Sequence, residues 1–529
     1  MPRRWPAPAS PRQPPLVGDA RFVPPVRLRA ILSNPALWIQ PHPAAGMPCL
    51  GRVRAELNPI IRSDTRERSA EDQVYYPAFD IPSVGGGTLI AVVAIVHVFI
   101  AQSAVGAGLF MAVSETLARR NGDELVLRFL RDASKYLVYL AFVAGAISGV
   151  AIWFSISIVS PRATSLLIHN FVWAWVTEWV FFAVEIAAGY AYYYGWDRLS
   201  PRRHIAAGWI YAGASWMSLF VINGIITFML TPGRWQALRA DEAWSAAYWA
   251  GLFNPTFWPS LILRTLSSMA LAGIFACVFV NLLGGYGREE RIRIVRMAAG
   301  FMSPLVLMTP VAVWYFVRVP SYPRGLALGG SAAMTLFFVF GLVCSVLIAL
   351  YALALIRRRA YVSLETSLLL ASMAFVATGA MEYVREGIRK PYVVRGYLWS
   401  NGLANQPAEF ARLRRDGILA HSPWIAPPDR LAAADARTRG RWVFQAQCAQ
   451  CHTVNGVNGI QALVTGWDRT LTRKAIDHLD QLKGFMPPFI GTDSEKDALT
   501  EYLYSLNPGA REDPPIPLAR ASVRAEAAP

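Results

Sequence analysis

The chain carries little charge for its length. Of 529 residues, only 16% are Asp, Glu, Lys or Arg, against roughly 25% in an ordinary soluble protein. Apolar residues make up 54% and the mean hydropathy is +0.32. One soluble core does not require so few charges, so the deficit points to lipid as the solvent. Cysteine is scarce as well, at five residues, which excludes a disulfide-stapled secreted module. The apolar content also excludes intrinsic disorder over most of the length. Acidic residues are the minority, and the net charge is +16. That excess can mark nucleic-acid binding, but the arginines fall between apolar runs and no base-reading motif accompanies them, so no nucleic-acid partner is expected.

What is present is a series of long apolar runs. Eight stretches lie near 86–113, 134–158, 166–194, 204–230, 256–284, 294–317, 327–355 and 361–384. Each is long enough to cross a bilayer at a rise of 1.5 Å per residue. No strand-like alternation competes with them. The expected fold class is therefore all-α: a polytopic transmembrane bundle over 85–395, joined to a small helical domain at 431–508. Residues 1–84 are rich in Pro and Arg and lack a signal-type apolar run. They read as disordered or as preceding a later start, with Met47 an alternative initiator. Residues 396–430, with Pro423, Pro427 and Pro428, read as a polar linker, and 509–529 as a disordered tail.

Loop charge sets the orientation. The odd-numbered connections hold the basic clusters: Arg119, Arg120, Arg128, Arg131 and Lys135; Arg198, Arg202 and Arg203; Arg288, Arg291, Arg293 and Arg296; Arg357, Arg358 and Arg359. The even-numbered ones hold only Arg162, Arg234, Arg239, Arg318 and Arg324. The odd connections are thus expected in the cytoplasm, and the 431–508 domain outside.

Within that domain, Cys448-Ala449-Gln450-Cys451-His452 reads as a c-type haem attachment site. Two thiols three positions apart can add to the two vinyl groups of one haem, and the adjacent imidazole then lies under the iron. Gly440, Phe444 and Cys448 follow at four-residue steps and share one helical face. Downstream, Met486-Pro487-Pro488 offers a thioether on a turn that cannot be helical. A His/Met axial pair, His452 with Met486, raises the reduction potential and suits an electron carrier. A zinc site or a redox dithiol is the competing reading; zinc wants four ligands, and the nearby supply is only Cys448, Cys451, His452 and His478. A packing helix is expected over 499–506. The stretch resembles a class I cytochrome c domain. The resemblance implies covalent haem c and attachment outside the cytoplasm, the side that the loop charges indicate independently.

Ionisable side chains within the apolar runs are functional candidates, because burying them in lipid costs several kcal/mol. These are His97, His169, Glu178, Glu185, Arg264 and Glu382. Glu178 and Glu185 lie two turns apart on one face. Arg264 is expected to pair with a haem propionate or a carboxylate. His169 reads as structural or solvent-facing, with ligation of a second haem the alternative, His204 as a surface residue at a helix start, and Cys277 and Cys344 as inert packing residues.

His97, Gly106, Ala112, Glu115 and Thr116, together with Gly195-Trp196-Asp197-Arg198-Leu199, Asn223-Gly224 and Arg389-Lys390-Pro391-Tyr392, resemble subunit I of the cytochrome bd quinol oxidases. The resemblance covers about 85–395. It implies one or more b- or d-type haems in the bundle, with His97 as the axial ligand of a high-spin haem at the oxygen-reducing centre. It also implies a proton path past Glu185, with Glu178 one position from the family's other acidic residue. Arg264 stands where the family has a histidine ligand of its low-spin b haem, with Met334 near the position of the methionine partner. Glu382 lies one turn beyond Gly379, which occupies the place of the family's glutamate ligand. The family's long loop between the sixth and seventh helices, which helps oxidise quinol, is cut to about 320–326.

The expectation is a membrane electron-transfer subunit in a bacterial plasma membrane. It would connect an extracytoplasmic haem c with a membrane-buried haem, reduce O2 and take electrons from a periplasmic cytochrome c or similar redox partner. A second bd-like subunit and membrane lipids are expected partners, with quinol an alternative donor. The alternative function is an electron-transfer module linking quinol or another membrane complex to periplasmic cytochromes without O2 chemistry. A haem-based sensor or assembly subunit is a third class.

Overall fold

In the computed structural model, residues 77–358 and 360–508 are described. The first seventy-six residues, the expected tail from 509 and Met47 and Cys49 lie outside them. Among the described residues, eight helices are long and apolar enough to span a bilayer. They are α1 (Gly86–Asn121), α2 (Glu124–Val159), α3 (Pro161–Gly195), α4 (Pro201–Leu230), α5 (Phe257–Leu282), α6 (Arg288–Arg318), α7 (Ala332–Arg357) and α8 (Leu364–Arg389).

Local chemistry sets their ends. Gly122 closes α1 in the left-handed region, its N–H bonded to the Ala118 carbonyl. Asp123 then caps α2 by accepting from the Val126 N–H. Pro161 and Pro201 open α3 and α4 at a position where no N–H is needed. Three helices deviate internally: a π-turn over Tyr139–Ala144 in α2, a kink at Phe171 in α3 and a 3-10 stretch over Ser303–Leu307 in α6. The short helices Trp235–Ala240 and Trp244–Leu252 precede α5; their aromatic, mixed composition gave no spanning pattern.

Small residues let the helices approach closely, the usual device where lipid removes the hydrophobic drive between helices. A Cβ on Gly106 of α1 would overlap the Ser268 carbonyl of α5. One on Gly108 would overlap the Tyr211 ring of α4, and one on Gly273 would sit 2.5 Å from the Ala298 carbonyl of α6. Large apolar groups face outward, as lipid allows: Val150 and Trp173 are each 71% exposed.

After α8 comes a two-stranded antiparallel hairpin, β1 (Tyr392–Val394) and β2 (Leu398–Trp399). Val393, Val394 and Leu398 pack into the bundle with Phe171, Phe228 and Trp235. Tyr392 and Trp399, stacked with centroids 4.1 Å apart, pack with the C-terminal core. That core joins α9 (Pro407–Asp416), α10 (Ala436–Gln447), α11 (Arg469–Asp477) and α12 (Asp493–Tyr504). It holds Leu403, Leu413, Ile418, Leu419 and Ala426 beside Val443, Phe444, Leu499 and Leu503. Residues 396–430, expected as a polar linker, contribute side chains to this core. Their leucines and isoleucine are spaced for burial; Pro423 follows the 3-10 turn Leu419–His421, and Pro427 and Pro428 open the short helix Pro428–Leu431. The closing helix also begins earlier than 499, at Asp493, where Thr492 and Glu495 form a capping box. α10 and α12 cross at Gly440, where a Cβ would overlap the Ala498 carbonyl.

Candidate haem sites and a carboxylate ladder

α10 ends at Gln447, and the chain turns tightly through the two cysteines. The N–H groups of Cys451 and His452 both donate to the Cys448 carbonyl, at 3.0 and 2.9 Å. One turn thus presents both thiols and the ring. Cys448 packs against the core while Cys451 is exposed. Burial pushes the Cys448 thiol up to about 12. Burial also lowers the His452 ring below its usual value, which favours the neutral form that binds metals. The ring's Nδ1 donates to the Asn458 carbonyl at 3.2 Å, so Nε2 keeps the lone pair, as an axial ligand requires. Met486 is half-buried on a turn closed by its N–H to the Lys483 carbonyl, 2.8 Å. Among the described residues no three His, Cys, Asp or Glu converge as ligands of a bare metal ion. The donor set fits a haem better than zinc.

His97 repeats this arrangement inside the bundle. Its Nδ1 lies 3.1 Å from the Ser148 hydroxyl of α2, and that hydroxyl donates to the Gly145 carbonyl at 3.1 Å. Ser148 therefore accepts from Nδ1–H, and Nε2 again carries the free lone pair. Gly149 faces the ring; a Cβ there would lie 3.5 Å from the His97 Cε1. These residues fit axial ligation of a haem.

On the α3–α4 interface, the two glutamates each meet a serine. Ser215 donates to Glu185 at 3.0 Å and Ser218 donates to Glu178 at 2.8 Å. Sequence reasoning missed both serines; their three-residue step on α4 opposite the seven-residue step of the glutamates was the available signal. Glu382 is held by two cations, Arg264 at 3.5 Å and Arg385 at 2.7 Å, one on each carboxylate oxygen. Arg264 thus pairs with a carboxylate. Met334 is buried against Gly387 of α8, with Leu230 and Ile388 around it. His169 is exposed.

His204 is not a surface residue. It is fully buried beneath Tyr192 and Trp196, with ring centroids 4.4 and 4.3 Å away. Its Nδ1 meets Glu115 at 2.8 Å and its Nε2 meets the Tyr192 carbonyl at 2.9 Å. The α3–α4 turn folds back over the helix start and encloses it, a tertiary effect that a position near a loop does not reveal.

The two histidine sites are joined through α1. A Cβ on Gly87 would lie 3.4 Å from the Gln450 carbonyl, and one on Gly85 3.2 Å from the Thr453 methyl. The Val457 N–H donates to the Ser83 carbonyl at 3.0 Å. The cysteine–histidine turn therefore packs on the start of the helix that carries His97. Beside it, Arg162 at the head of α3 grips Glu409 of α9 through two bonds of 2.8 and 2.9 Å.

This fold is a membrane-spanning helical bundle with a small helical domain packed on one end. Residues 88–318 match the family described as cytochrome bd terminal oxidase subunit I, and residues 435–503 match cytochrome c oxidase, cbb3-type, subunit III. The first family binds b- or d-type haems, and the second match implies covalent haem c. No curated protein matches the chain. Among solved structures, the bd oxidase from Geobacillus thermodenitrificans aligns with a TM-score of 0.51 and 18% identity, covering 67% of this chain and 99% of that one.

Proposed function

We propose that the chain is the haem-bearing subunit of a bd-like terminal oxidase, taking electrons from a c-type donor through its own cytochrome c domain and reducing O2 beside His97. When bound, the haems supply one-electron transfer and an oxygen-binding iron. Cys448, Cys451, His452 and Met486 would hold the haem c, and His97 the membrane haem; Met334 and Glu382 are further ligand candidates. Glu178 and Glu185 hold and pass protons, each steadied by its serine. The carrying observation is the docking of the Cys448–His452 turn on Gly85 and Gly87. His97 lies ten residues further along α1, about 15 Å at the helical rise, a short span for electron transfer.

The connection from α6 to α7 supports a c-type donor over quinol, because only 319–331 separate Arg318 from Ala332. The exposed apolar faces of α2 and α3 suit lipid and a second bd-like subunit. Loop charge supports a plasma-membrane location with the cytochrome c domain on the periplasmic side. The second reading, an electron-transfer module without oxygen chemistry, is favoured by one feature: Glu382 is already engaged by Arg264 and Arg385. The test is a carbon monoxide difference spectrum with oxygen uptake. A ligand-reactive high-spin signal, and loss of uptake in His97→Ala with the haem c band intact, support the oxidase. Only low-spin signals, or uptake unchanged in His97→Ala, overturn it.

A further inference from the structure

Glu115 and His204 are both fully enclosed, and the oxidase reading leaves them without a role. Both ring nitrogens of His204 face acceptors: Glu115 Oε1 and Oε2 at 2.8 and 2.9 Å on Nδ1, and the Tyr192 carbonyl at 2.9 Å on Nε2. A neutral imidazole has one N–H and cannot donate to both. The pair therefore holds one extra proton, either on the ring or on the carboxyl. Arg119, whose side chain is 23% exposed, donates to Glu115 Oε1 at 2.6 Å and connects the pair to the aqueous end of α1.

Beyond the pair stands a buried hydroxyl. Tyr192 is 1% exposed, and its Oη interacts with the Glu115 carboxylate. Its ring rests on Gly208, where a Cβ would come within 3.0 Å of Cε2. One turn further along α4, the Tyr211 hydroxyl donates to the Ala104 carbonyl at 3.2 Å and lies within electrostatic reach of Glu185. His204, Tyr211, Ser215 and Ser218 follow on α4 at steps of seven, four and three, and Tyr192, Glu185 and Glu178 on α3 at steps of seven, so each set shares a face. Polar groups thus run from the Arg-rich end of α1 to mid-membrane, about 16 Å from His204 to Ser215 at the helical rise.

We propose that Glu115 and His204 form a proton-loading pair, which feeds Glu185 through Tyr192 and Tyr211. The inference rests on the oxidase reading, which needs protons at the oxygen site. Each transfer breaks one N–H or O–H bond and forms the next. A proton enters from water beside Arg119, one leaves toward Glu185, and no oxidation state changes along the way.

A purely structural pair would behave differently. Glu115→Gln can still bond to a neutral His204 and to Arg119, and Tyr192→Phe removes only a hydroxyl beside Glu115 while the ring stays packed on Gly208. Either change would then leave function intact. The experiment reacts the fully reduced purified protein complex with O2 in a flow-flash instrument. A pH-indicator dye reads proton uptake, in H2O and D2O, for wild type, Tyr192→Phe and Glu115→Gln. The expected result is unchanged haem content and unchanged anaerobic reduction of haem c, with proton uptake at least tenfold slower in both variants and a larger solvent isotope effect. Variants that match a turning-over wild type overturn the relay alone. A wild type that consumes no oxygen overturns the oxidase reading and the relay with it.

Discussion

Arg162 and Glu409 clamp the cytochrome c core to the head of α3, and removing one partner should release it. Glu409 is only 2% exposed and Arg162 21%, so solvent screens the pair weakly. Breaking a buried pair by deleting one partner costs about 3–5 kcal/mol, because the remaining charge stays desolvated. We expect Arg162→Ala to cost about 3 kcal/mol, the lower end, since Arg162 itself is partly exposed. At 1.4 kcal/mol per factor of ten, that raises the population in which α9 is open by roughly a hundredfold. Amide hydrogen exchange across Pro407–Asp416 reads this population directly. The double change Arg162→Ala with Glu409→Leu should restore part of the protection, since neither half of this pair is then left buried without the other. Because the pair is shielded, 0.5 M salt should alter wild-type protection little. Exchange in Arg162→Ala within twofold of wild type would refute the clamp.

Gly440→Val should prevent α10 from crossing α12, since its Cβ would overlap the Ala498 carbonyl; we expect loss of covalent haem on a haem-stained gel while the membrane domain still inserts. Gly106→Leu should likewise part α1 from α5 at Ser268, with a fall in non-covalent haem per protein measured by pyridine haemochrome. Asp435 caps α10 and is held below its usual value by the Thr438 hydroxyl and N–H. A depressed carboxyl stabilises the fold above its unfolded value and loses that contribution as pH falls through the folded one. Asp435→Ala should therefore cost about 1 kcal/mol at pH 7, and thermal melts should show that difference shrinking below pH 4, near the unfolded Asp value.

The spans and the cytochrome c domain were legible because each rests on local signals: unbroken apolar length and a fixed thiol spacing. Other features depend on residues distant in sequence. His204 sits at a helix start, and only the return of Tyr192 and Trp196 over it makes it a core residue. Pro423, Pro427 and Pro428 suggested a linker, yet Leu413, Ile418 and Leu419 already carried an apolar pattern whose partners, Val443 and Leu503, lie farther along the chain. Arg264 was expected to meet a propionate or a carboxylate, and only the packing of α8 against α5 singles out Glu382. Ser215 and Ser218 gained meaning only once α3 and α4 were paired.

The central claim is that the bundle holds a haem near His97 in addition to the covalent one at Cys448 and Cys451. Pyridine haemochrome quantification of the purified protein, before and after acid–acetone extraction, tests this directly. The account expects one haem c that stays with the polypeptide and at least one haem that is extracted. A single covalent haem, with none released, would contradict it.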